Sequence, residues 1–231
     1  MATIWLVRHG EVAGNDPRTR AFAGWHDLPL TPRGVTQTHM VAERLARESI
    51  AEIWSSDLQR AARTADAIAS HHNLTPRLET GLREVNYGAW EGMGDEELLR
   101  EWGELWRARE ADPVSVSPPG GESYAALWER EAPVWEQIVG RALELHASAP
   151  SSALVVAGHN GSLRAILCDV LGVPLQNARR MQLSNCGLSR IEVKPGEGEA
   201  NALSQEPLEP RLLVRAINET GHLEGLEGRI S

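Results

Sequence analysis

The chain has 231 residues, 42% of them hydrophobic, and a formal charge of −9 at neutral pH. It is long enough and apolar enough to bury a substantial core, and too acidic to hold nucleic acid or an anionic membrane through its net field. Two cysteines, Cys168 and Cys186, do not make a disulfide framework, and with neither a secretory signal nor an apolar run of membrane-spanning length (~20 residues), a soluble cytoplasmic protein is expected.

In chain order, TIWLV (Thr3 to Val7) reads as a buried strand that runs straight into Arg8, His9, Gly10 and Glu11. A loop from Asp16 to Trp25 follows, carrying Arg18, Arg20 and Gly24. Thr31 is placed as an N-cap and Pro32 as the first helical residue, with Val35, Val41, Ala42 and Leu45 as an apolar stripe. AEIWSS is a second short strand, and the helix after it turns Leu58, Ala61, Ala65 and Ile68 inward, with Asp57 as its expected N-cap. A helical lid is expected over about 95–123, carrying Trp102 and Trp106 and broken by SVSPPGGES. Ser123 to Ala149 is a long helix in which Pro133 marks a kink or a start. SALVVAGHN is the third strong strand, and GSLRAILCDVLG its helix, closed by Gly172. CGLSRIEVK and RLLVRAIN are late strands, and the tail after His222 is expected to be poorly ordered. Strands alternating with helices predict one α/β domain over 1–231, a three-layer α/β/α sandwich on a mostly parallel central sheet.

Three strands end in reactive residues. The first runs into Arg8 and His9, the second into Ser55, Ser56 and then Arg60, the third into Gly158, His159, Asn160 and Gly161. In open α/β sheets ligands bind beyond the carboxyl ends of the strands, so parallel neighbours would bring two histidines and two arginines to one place. Two guanidiniums can clamp a tetrahedral dianion, helix N-termini add positive ends, Gly10 and Gly161 allow close backbone approach, and Asn15 offers an amide. No P-loop, no hydrolase serine elbow and no metal-binding histidine spacing is present. A histidine is therefore the candidate nucleophile, attacking phosphorus through one neutral nitrogen while the other keeps its proton. Neither metal nor cofactor is expected.

Five stretches then carry a resemblance: LVRHGE with Asn15, SSDLQRAARTA, LREVNYGAWEG, PPGGES and VVAGHNG, in this order. Together they resemble the histidine phosphatase superfamily, in its phosphoglycerate mutase-like branch. The resemblance implies that His9 is phosphorylated, that Arg8, Arg60 and His159 hold the phosphoryl group, and that Asn15 and the N–H of Asn160 line the same pocket. It also implies that Glu84 is the general acid and then the base for water; the residues alone do not single out Glu84 over Glu11 or Glu91. Asp57 stands where the family usually has proline. A short region before PPGGES favours a phosphatase of small phosphomonoesters over a mutase, with a catalytically silent phosphate-binding protein as the alternative from another class. Gly24 and Tyr87 are placed in the substrate site. Arg18 and Arg20 reach a substrate carboxylate or second phosphate, or else are solvated. The partner is a small phosphorylated metabolite; the sequence does not give the oligomeric state, and a homodimer is the commonest form among soluble homo-oligomers.

Overall fold

The computed structural model describes residues 1–13, 22–196 and 210–226. Asn15, Arg18 and Arg20 lie outside these described residues. Six strands, β1 (Ala2–Arg8), β2 (Ile50–Ser55), β3 (Arg77–Leu78), β4 (Ala153–Gly158), β5 (Leu188–Lys194) and β6 (Arg211–Glu219), form one sheet in the order β3-β2-β4-β1-β5-β6. The first four are mutually parallel, β5 runs antiparallel to β1, and β6 antiparallel to β5. The five helices are α1 (Pro32–Leu45), α2 (Gln59–Ala69), α3 (Asp95–Ala111), α4 (Tyr124–Ser148) and α5 (Asn160–Leu171).

Alternation along β1 splits its side chains between two cores. Trp5 and Val7 pack with Val41 and Leu45 of α1 and Ala65 and Ile68 of α2. Ile4 and Leu6 pack with Ile138 and Ala142 of α4 and Leu163 and Ile166 of α5. Helices therefore cover both faces of the sheet, and β4, buried at every residue, reads as an unbroken apolar run for that reason.

The predicted caps and stripe hold with two corrections. The Thr31 hydroxyl accepts the Gly34 N–H at 3.0 Å and Pro32 opens α1. Val35, however, is 42% exposed. The first turn of α1 packs through Gly34, so the buried face runs through 34, 38, 41, 42 and 45 and residue 35 falls outside it. Asp57 does not cap α2: Leu58 occupies the N-cap without a side-chain bond, and the Asp57 carboxylate accepts two hydrogen bonds from Arg83 instead. Pro133 sits inside α4, which continues through it. At the end of the described chain, residues 221–223 form a 3₁₀ turn and Leu226 is buried. The rest of the tail, residues 227–231, lies outside the described residues. Both cysteines are buried free thiols.

Candidate active site

The order β2-β4-β1 makes the three strand ends neighbours, with Arg8 opposite Gly158 and Ser55 opposite Ala157. The His9 N–H continues the ladder to the Gly158 carbonyl at 3.0 Å. This places the His9 and His159 rings with centroids 5.1 Å apart. His9 Nδ1 lies 2.6 Å from the Gly10 carbonyl oxygen. A carbonyl can only accept, so Nδ1 carries the proton, and in the neutral ring the lone pair is on Nε2. Burial, then the positive charges of Arg60 and Arg8, hold the His9 imidazole well below its ordinary value. His159 is fully buried, and burial, Arg60 and His9 lower it in the same way.

Arg8, the last residue of β1, donates from Nη1 to the Leu183 carbonyl at 2.6 Å. Burial brings its guanidinium down to about 10, against the pull of Glu84 and with Arg164 and Arg60 adding to the fall, which leaves it charged at neutral pH. Arg60, in the first turn of α2, is 1% exposed. It donates to the carbonyls of His26 at 3.0 Å and Gly24 at 2.5 Å. Burial lowers it too, opposed by Glu84, Asp27 and Glu91.

Glu84 comes from the segment between β3 and α3 and meets the start of α5. Its Oε1 and Oε2 accept the Gly161 N–H at 2.9 and 3.0 Å, and Oε1 also accepts the Val85 N–H at 2.9 Å. A helix N-terminus is a favourable seat for a carboxylate. Gly161 is needed for that seat, because a Cβ there would fall on Glu84 Oε1. Gly10 has a different reason: a Cβ at that position would stand 2.6 Å from the Gly34 carbonyl oxygen. It makes room for the first turn of α1.

A cleft of about 750 Å³ opens here, with Arg8, His9, Arg60, Glu84 and Asn160 in its wall. Gly24 and Tyr87 line it as well. Burial raises the Tyr87 phenol, keeping it protonated and a donor. Ser55 and Ser56 are fully buried and spend their hydroxyls on local backbone, on Ser56 O and Leu58 N. They belong to the end of β2 and the turn after it, and not to the cleft wall. Sequence reasoning missed Arg164, Arg179, Gln182 and Asn185, all in the cleft wall. Arg164 follows Asn160 by four residues on α5 and could have been found from that spacing. Asn185, which donates to the His9 carbonyl at 2.9 Å, lies in an irregular segment and carries no such signal.

No group of three or more His, Cys, Asp or Glu side chains able to hold a metal ion occurs among the described residues. No helix among them is long and apolar enough to cross a membrane.

A family model, that of the histidine phosphatase superfamily (branch 1), matches residues 4–206. A Yersinia pestis protein named "Probable phosphoglycerate mutase GpmB" is 33% identical over 225 residues, covering 97% of this chain and 96% of that one. Among solved structures, a mycobacterial glucosyl-3-phosphoglycerate phosphatase is similar with a TM-score of 0.80 and 25% identity, over 95% of this chain and 99% of the other. Bacillus stearothermophilus YhfR, at 22% identity, shares the fold with a TM-score of 0.80 over 97% of this chain and all of its own.

Proposed function

The chain belongs to branch 1 of the histidine phosphatase superfamily, and from that premise we propose that it hydrolyses small phosphomonoesters in two steps through a phosphohistidine. The observation that carries this reading is the His9 ring: its Nδ1 proton is tied to the Gly10 carbonyl, which leaves the lone pair on Nε2 in a cleft wall that also holds the Arg8 and Arg60 guanidiniums.

Arg8, Arg60 and His159 would surround the phosphoryl oxygens, and Asn160 would add its N–H at the start of α5. Asn15, Arg18 and Arg20 remain part of the proposed substrate site. His9 Nε2 attacks phosphorus, the P–N bond forms as the ester P–O bond breaks, and the Glu84 carboxyl gives its proton to the leaving oxygen. Water then passes a proton to Glu84 and attacks phosphorus, the P–N electrons return to Nε2, and inorganic phosphate leaves. Fixed guanidiniums spread over the equatorial oxygens supply the charge stabilisation that phosphoryl transfer needs, so the reaction is written without a metal.

The test is turnover of a panel of phosphomonoesters with a chelator present, with acid-quenched trapping of label on the protein. Chelator-resistant hydrolysis and label that disappears in His9→Ala are expected. Full activity in His9→Ala, or loss of activity with chelator, rejects the mechanism. Binding of phosphate without turnover of any ester would instead favour a silent binding protein. The name of the Yersinia relative favours a second reading, phosphoglycerate mutase activity at the same residues. A coupled assay separates the two, because a mutase isomerises 3-phosphoglycerate faster than it releases phosphate.

A further inference from the structure

We propose that Arg130, on α4 and outside the cleft wall, is a positioning residue for Glu84, holding the backbone of the acid's loop so that the carboxyl meets the leaving oxygen. This rests on the reading of Glu84 as the general acid.

One guanidinium organises the whole segment. Arg130 Nη1 donates to the Gly81 carbonyl at 2.8 Å, and Nη2 donates to the carbonyls of Arg83 at 2.9 Å and Glu84 at 2.7 Å. Its other edge is fixed by Glu122, with Nε to Oε1 at 2.8 Å and Nη2 to Oε2 at 3.0 Å. Glu122 also closes on the far side of the loop. Its carboxylate accepts the Asn86 N–H at 3.0 Å and its own N–H donates to the Asn86 carbonyl at 2.7 Å. The Glu84 carbonyl takes a second donor, the indole N–H of Trp25, at 2.8 Å. The Arg83 and Arg130 guanidiniums stand 4.8 and 5.7 Å from the Trp25 ring centre. Arg83 is tied separately to Asp57 at the start of α2, at 2.7 and 2.5 Å.

Residues 83–86 belong to no helix or strand. Regular secondary structure therefore does not fix where Glu84 points. A planar fork with five donors suits this task, because its hydrogen bonds are fixed relative to one another. Arg130 and Glu122 are each about four-fifths buried at the side chain, so the pair is not a solvated surface contact. Its loss would let the Glu84 main chain move, and small misplacements of a catalytic group are costly.

A purely structural role would reduce turnover of every ester alike. A positioning role would not, because only a poor leaving group needs the proton. The experiment compares kcat/KM for p-nitrophenyl phosphate, whose phenolate departs unassisted, with that for a simple alkyl phosphate, in wild type, Glu84→Gln and Arg130→Gln. Glu84→Gln is the reference, with an expected loss on the alkyl ester of ~10²–10⁴-fold. For Arg130→Gln the loss on the alkyl ester should exceed that on the aryl ester by about tenfold or more. Equal losses on the two esters, or no loss on either, overturn the proposal. If Arg130→Gln does not fold, Glu122→Gln carries the test. That variant leaves the guanidinium in place but unbraced, and the same preferential loss is expected, with equal losses again overturning the proposal. If Glu84→Gln itself does not discriminate between leaving groups, the acid assignment fails, a result distinct from failure of Arg130 alone.

Discussion

Replacing Glu131 by glutamine should remove a loss of stability that grows as pH rises. Glu131 lies on α4, is fully buried, and has no hydrogen-bond partner for either carboxylate oxygen among the described residues. Burial pushes its carboxyl well above the ordinary range against the pull of Arg130, and Glu84 and Glu122 push the same way as burial. The folded state therefore keeps a proton that the unfolded chain gives up above about pH 4.3. Stability from this group is fully present below that point and is lost as pH climbs toward the folded-state value. Inside the window the loss is about 1.4 kcal/mol per pH unit, a sizeable part of a typical total of roughly 5–15 kcal/mol. The amide of glutamine is also buried without a partner, but that cost does not change with pH. Urea unfolding of both proteins at pH 5 and pH 6 should show the difference between them moving by about 1.4 kcal/mol in favour of Glu131→Gln. Curves that stay parallel between the two pH values would refute the reasoning, because they would mean that Glu131 ionises alike in both states.

Gly161→Ala should dislodge the Glu84 carboxylate, since the new Cβ would meet Oε1 and stand 2.9 Å from Val85 Cγ2. Turnover of an alkyl phosphate should fall by ~10²-fold, and wild-type kinetics in this variant would remove the argument that the glycine exists for the acid. Gly10→Ala should act on stability through contact with the Gly34 carbonyl and Thr38. A loss of about 1–3 kcal/mol is expected, and an unchanged urea midpoint would show that the α1 turn gives way freely. The imidazoles of His9 and His159 should remain neutral at pH 6.5, where an ordinary histidine is about half protonated. Nitrogen NMR shifts showing half-protonation there would contradict the effect of burial and of the two guanidiniums.

The parts of the site legible in the sequence are those that secondary structure alone delivers. Arg8, His9 and His159 follow apolar runs, and once those runs are parallel neighbours the side chains must converge. Arg60 follows from the same logic, one helical turn further on. Glu84 is different in kind. It reaches the Gly161 N–H across 77 residues of sequence from a segment without regular structure, so no periodicity points to it; only the resemblance did. Residue type makes Asp57 a cap candidate, yet Arg83, 26 residues away, donates to both of its carboxylate oxygens. Gly10 follows His9 directly and Gly161 follows His159 by two residues, and composition does not tell their reasons apart. Their neighbours do, since one faces the backbone of α1 and the other a carboxylate.

The two arginines link the binding and the chemistry of the cleft. Arg8 and Arg60 carry charge into a site where burial already disfavours a protonated imidazole, and each adds to the lowering of His9. The charges that would attract a phosphoryl dianion thus add to burial in keeping the proposed attacking nitrogen free of a proton. A neutral residue at either position would weaken the hold on the ester and also let His9 protonate more readily. The two effects therefore cannot be separated by substitution at these residues, whereas Glu84, seated on α5 and braced from α4, is fixed by groups that do not touch the histidine. The division follows from the fold: the parallel strand ends supply the proposed nucleophile with its cations, and an irregular loop held by side chains supplies the proposed acid.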